Sequence, residues 1–175
     1  MVGLASIKSP MMGLLLAVAY SNMVLDVIYI VKVHENQYTQ TYPPAIAASL
    51  VRSILHMLYC LGYFVTSAKG VAYQAKNIAM AMLFFALFGV GADAAAIALK
   101  HNVNYCPVSA SNYGNCIGVL RGTVGLGFAL VGLDLIYIGY LAALVSKYGA
   151  WGKDLYNIPE RKLANADLND KAPAH

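Results

Sequence analysis

Apolar residues gather in four long runs, at 10–33, 45–68, 77–99 and 117–146, with polar residues concentrated in the connections between them. Each run exceeds the roughly 20 residues needed to cross about 30 Å of hydrocarbon at 1.5 Å per residue. Backbone groups in lipid must be satisfied within their own segment, so helices are predicted, and the runs are too long for barrel strands. The last run is long enough to tilt or protrude. Pro43 and Pro44 suit the start of the second helix, where a missing N–H costs little. The pattern predicts an all-α fold, a four-helix transmembrane bundle within residues 1–148. Residues 149–175 mix charges with Asn, Ala and Pro and read as a short cytosolic tail.

The start of the chain resembles a signal peptide: Lys8 precedes an apolar stretch, and Ala17-Val18-Ala19 resembles a cleavage site. The run continues to Val33, however, which is long enough to span, so a retained first helix is expected. The short flanks set the orientation. Lys8, Lys69, Lys76, Lys147, Lys153, Arg161, Lys162 and Lys171 fall on one side, against Lys32 and Lys100 on the other. This bias places both termini in the cytoplasm and makes 34–44 and 100–116 the outer loops. Tyr38 and Tyr42 outside, and Tyr73, Tyr148 and Trp151 inside, fit interfacial aromatic belts.

Composition supports this frame. The chain is 59% hydrophobic and 11% charged, where soluble domains carry roughly 25% charged residues. Lipid must therefore cover part of its surface. A net charge of +4 without a basic run gives no footing for nucleic acid. The three cysteines form no CxxC or Cys/His cluster, so no metal site is expected. Cys106 and Cys116 bracket the second outer loop, which faces the oxidising side, and a disulfide between them is expected. Cys60, alone in the second span, reads as a small apolar residue.

The intramembrane charges are the most informative feature. Asp26, Arg52, Asp93 and Arg121 occupy four different spans. Counted from span centres, they fall roughly 6–10 Å to the outer side of the midplane. Charges at such depth must face inward and pair. They form either a structural clamp or a polar site, and two acids balanced by two bases favour the clamp, with nothing spare for a substrate. Ser49, Arg52, His56, Tyr59, Tyr63 and Thr66 recur three or four residues apart, a polar stripe on one face of the second helix. Interhelical hydrogen bonding is its simplest use, and a proton-relay role for His56 is the sharper one.

The fourth span carries a small-residue seam: Gly118, Gly122, Gly125, Ala129, Gly132, Gly139, Ala143 and Ser146, interrupted by Ile136. Small residues let helices approach closely in lipid. A tight intramolecular bundle is the expected use, and self-association the alternative. Asp134 points almost opposite to this seam, in the inner half, with no arginine at its depth. It joins the intramembrane charges with its partner open: it is protonated, reaches a tyrosine, or marks a second interface.

Familiar catalytic motifs are missing: there is no HExxH, GxSxG or P-loop, and no lysine at mid-span to hold retinal. Neither an enzymatic activity nor a cofactor is expected. The chain resembles the MARVEL-type tetraspan proteins, and within them the small fungal plasma-membrane branch associated with eisosomes and non-classical export. Cys106 and Cys116 before the fourth span, then Arg121 and a small-residue-rich helix, carry the resemblance, which covers the topology of residues 10–148. The resemblance implies a lateral organiser of membrane domains that packs against lipids, itself or other membrane proteins, without catalysis. A small channel or carrier using the outer-half charges is one alternative, and an accessory subunit of a larger membrane complex is another.

Overall fold

The structure, a computed structural model, describes residues 7–35, 43–100, 105–106, 113–148, 151–153 and 155. Its long elements are four helices: α1 (Lys8–Glu35), α2 (Pro44–Val65), α3 (Ala75–Leu99) and α4 (Tyr113–Tyr148). A single 3-10 turn (Val71–Tyr73) joins α2 to α3. All four long helices are long and apolar enough to cross a membrane. Consecutive helices pack side by side and α4 closes against α1, giving an up-down-up-down ring.

Local chemistry sets the ends of α2. Pro44 occupies the first turn, and the Pro43 carbonyl accepts from Ala47 N at 3.0 Å. Contrary to the expected end at residue 68, the helix stops at Val65. Ser67 and Ala68 turn left-handed (φ 53° and 60°), and Ala68 N donates back to the Tyr63 carbonyl at 2.8 Å, which closes the last turn. Tyr73, expected at an interfacial belt, is instead buried, with its ring 5.4 Å from Tyr59 and 5.9 Å from Tyr63. Trp151 is exposed as a belt residue should be, whereas Tyr38 and Tyr42 and the side chain of Tyr148 lie outside the described residues.

At the end of the bundle that carries Lys8, the chain folds back after α4. Ala75 N and Lys76 N donate to the carbonyls of Lys153 and Trp151, and buried Lys8 donates through Nζ to the Leu155 carbonyl at 3.0 Å. The expected tail beyond 155 lies outside the described residues. At the opposite end, Cys106 and Cys116 are bonded, with Cα atoms 5.9 Å apart. Beside them, buried Tyr105 ties three segments together: its carbonyl accepts from Tyr29 Oη at 2.8 Å and its hydroxyl accepts from Ala45 N at 3.2 Å. A membrane-impermeant thiol reagent should label neither Cys106 nor Cys116 until a reductant is added, and then both. Labelling without reduction would contradict the bond.

The buried apolar residues form two cores. One, toward the Lys8 end, includes Leu15, Tyr63, Met82, Phe85, Leu130, Tyr137 and Leu144. The other, toward the disulfide, includes Tyr29, Ile46, Ala96, Tyr105, Leu120 and Val124. Outside them the bundle presents Leu14, Val27, Leu58, Phe84, Leu87 and Leu135 to its surroundings. Such a surface suits hydrocarbon, not water. The buried polar and charged side chains within the spans lie chiefly between the two cores.

Candidate functional site: a polar layer across the bundle

Each helix contributes to this layer from one face. Asn22 and Asp26 lie one turn apart on α1; Ser49, Arg52, Ser53 and His56 follow helical spacing on α2; Asp93 comes from α3, and Thr123 and Asp134 from α4. All are 0–1% exposed. Two glycines make room for the largest groups. A methyl group at Gly89 on α3 would collide with the Arg52 guanidinium, and one at Gly127 on α4 would collide with the Asp93 carboxylate.

Arg52 is the hub. Its Nη1 lies 3.8 Å from Asp93 Oδ2 and donates to the Gly127 carbonyl at 3.3 Å. Its Nη2 donates to Asp134 Oδ2 at 3.4 Å. The other Asp134 oxygen stands 3.4 Å from His56 Nε2, and the His56 ring stacks on Phe85 with centroids 4.6 Å apart. Asp26 belongs to a separate group whose other members are neutral: its Oδ2 accepts from Ser49 Oγ at 3.1 Å and from Asn22 Nδ2 at 3.4 Å, and Asn22 also donates to Ser53 Oγ at 2.9 Å. Nine buried side-chain atoms in the described residues find no hydrogen-bond partner in the protein, among them Asn22 Oδ1, Asp26 Oδ1, Arg52 Nε, His56 Nδ1 and Tyr137 Oη. Buried polar atoms are ordinarily paired, so the layer is only partly satisfied by its own side chains.

Three expectations need correction. Arg121 is exposed and makes no ion pair among the described residues, so it does not belong to the network. Asp93 meets α4 at Gly127, and six residues further toward the disulfide α4 reaches Arg121 just as α3 reaches its end at Leu99. The arginine therefore stands at the level where the neighbouring helix ends. Second, Asp134 has an arginine partner, because the long Arg52 side chain bridges the difference in depth. Third, the small-residue seam does not pack inside the bundle. Gly118, Gly125, Ala129, Gly139 and Ala143 are exposed, added methyl groups at Gly118, Gly125, Gly132 and Gly139 would meet nothing, and Gly122 alone would touch Leu25. The angular opposition of Asp134 to the seam holds; the seam is the outward face.

The α2 stripe is buried at Ser49, Arg52, His56 and Tyr63, half-buried at Tyr59 and exposed at Thr66, whose hydroxyl bonds back to the Gly62 carbonyl. Asn22, Ser53, Thr123, Gly89 and Gly127 were not anticipated. Helical spacing could have found the first two, since Asn22 lies one turn before Asp26 and Ser53 one turn after Ser49.

With Arg121 outside, the charge no longer balances: three carboxyl groups face one guanidinium and a histidine. Comparison with family models, curated proteins and solved structures finds no match. The fold and its layer define the class: an integral membrane protein whose four spans meet around a buried charged layer.

Proposed function

We propose that this chain is a non-enzymatic organiser of membrane domains, acting by lateral packing in the bilayer. The observation that carries the reading is the outward seam on α4. A membrane helix that turns Gly118, Gly125, Gly132 and Gly139 to the outside presents a shallow strip on which another helix can lie closely. In this reading the polar layer fixes the order and rotation of the four helices, and the seam is left free for a second copy or another membrane protein. The resemblance to MARVEL-type tetraspans belongs to the same proposal, as do a plasma-membrane location and cytoplasmic termini, the latter resting on the lysine and arginine bias.

The test is self-association in liposomes, measured by energy transfer between labelled copies over a dilution series. Gly125→Leu with Gly132→Leu should weaken association at least tenfold while leaving the melting temperature of the monomer unchanged. Unaltered association would remove the basis of the reading. A carrier is the second reading, and the excess of carboxyl groups in the layer favours it. In that case the seam variants associate normally, and substitutions in the layer abolish flux while the fold survives.

A further inference from the structure

We infer that Asp26 and Asn22 form a proton-binding site within the membrane, with the hydron held on Asp26 Oδ1 in the resting bundle. This goes beyond lateral packing and does not depend on it.

Charge and hydrogen-bond accounting point to the same atom. The layer holds three buried carboxyl groups and one guanidinium, and that guanidinium is turned to Asp93 and Asp134. Among the described residues no cationic group lies within ion-pair distance of Asp26, and its hydrogen-bond partners, Ser49 and Asn22, are neutral. An ionised carboxylate held only by neutral donors away from water bears most of its desolvation cost. Asp26 Oδ1 and Asn22 Oδ1 are both buried acceptors without a donor, on two side chains already in contact through Asn22 Nδ2 and Asp26 Oδ2 at 3.4 Å. A proton on Asp26 Oδ1 turns an unsatisfied acceptor into a donor, removes the uncompensated charge, and leaves Oδ2 to keep accepting from Ser49 and Asn22. The Asn22 amide nitrogen shares its two hydrogens among Ser53 Oγ at 2.9 Å, Ser49 Oγ at 3.3 Å and Asp26 Oδ2 at 3.4 Å, so its oxygen is left as the acceptor.

The charged groups that act on Asp26 are Asp93 on α3 and Arg52 on α2; beyond them, Asp134 on α4 is engaged by Arg52 and by His56. A hydron is a better fit than a metal ion, because no group of three His, Cys, Asp or Glu side chains among the described residues converges with ligand spacing. Loss of the proton would place a second uncompensated charge in the layer that joins all four helices. The site therefore links the protonation of one carboxyl to the packing of the whole bundle.

Infrared spectroscopy of the full chain in nanodiscs, with isotope-labelled aspartate, tests this directly. At neutral pH the wild-type chain should show the carbonyl stretch of a protonated aspartic acid, shifted in D2O. Asp26→Asn should abolish that band and keep the wild-type melting temperature, since the amide mimics the neutral acid. Asp93→Asn should retain it. Should Asp26→Asn fail to fold, Asp26→Glu serves instead: the labelled aspartate band must disappear and a glutamic acid band replace it. A wild-type spectrum without a protonated aspartate band overturns the inference, as does a band that survives in Asp26→Asn or in Asp26→Glu. A carboxylate band that shifts when sodium is replaced by choline would likewise overturn it, assigning the site to a metal cation.

Discussion

Arg52→Leu is expected to lower the stability of the bundle by about 3–5 kcal/mol, the range found when one partner of a buried ion pair is removed. The guanidinium is fully buried and serves Asp93, Asp134 and the Gly127 carbonyl together, so its loss leaves Asp134 without its donor, Asp93 without its counter-charge, and removes the side-chain bond to the Gly127 carbonyl. Leucine also leaves space beside Gly89, whose missing side chain accommodates the guanidinium. A second substitution should then recover part of the loss, because an apolar pair pays no desolvation cost. The geometry names the rescuing partners. Asp134 makes the hydrogen-bonded contact at 3.4 Å and should rescue most, Asp93 at 3.8 Å should rescue less, and Asp26 should not rescue at all. Thermal unfolding of Arg52→Leu and of its double variants with Asp134→Leu, Asp93→Leu and Asp26→Leu measures this order. A single variant as stable as wild type would show that the layer does not clamp the helices. Rescue by Asp26→Leu alone would place the ion pair on the wrong helix.

The distinction between Asp134 and Asp26 marks where sequence reasoning reached its limit. The four spans were legible because hydropathy acts over some twenty residues and is indifferent to neighbours. The disulfide was legible because topology and spacing concern the same short loop. Partner choice within the layer was not legible, because it depends on the relative sliding of helices. Depth counted from the centre of a run presumes that every helix is centred in the bilayer. That holds tolerably for α2, with 22 residues, and fails for α4, with 36. The surplus of α4 carries Arg121 to the level of the end of α3 and brings Asp134 within reach of a long arginine side chain. Removing Arg121 from the layer also removes the balance of charge that had made the layer look inert. Periodicity has a related blind spot. It shows that Gly118, Gly125, Gly132 and Gly139 share one face and that Asp134 lies on the opposite one, but in an environment where both faces are apolar it does not say which is turned inward.

The same blind spot leads to a prediction about glycine that runs against helix propensity. Alanine favours a helix interior over glycine by roughly 1 kcal/mol, so replacing a glycine that touches nothing should be neutral or stabilising. Gly125→Ala and Gly139→Ala fall in this group, since their added methyl groups meet open space. Gly127 stands outside the seam and behaves in the opposite sense. Its missing side chain is the space filled by the Asp93 carboxylate, and its carbonyl accepts from Arg52 at 3.3 Å. A methyl group there must push Asp93 away from the guanidinium or force α3 and α4 apart, and neither group can move into solvent because both are fully buried. Gly127→Ala should therefore cost ~1–3 kcal/mol, the usual range for overpacking a filled core, and Gly127→Val should cost more. Gly89→Ala should follow the same sign, as its methyl group would strike the Arg52 guanidinium. Equilibrium unfolding of the four alanine variants in nanodiscs, at a dilution where the chain is monomeric, separates the two classes. If Gly127→Ala unfolds with wild-type stability, the close packing of Asp93 against α4 is wrong. If Gly125→Ala is destabilised as strongly, the seam faces the interior after all, and the lateral association proposed for it loses its surface.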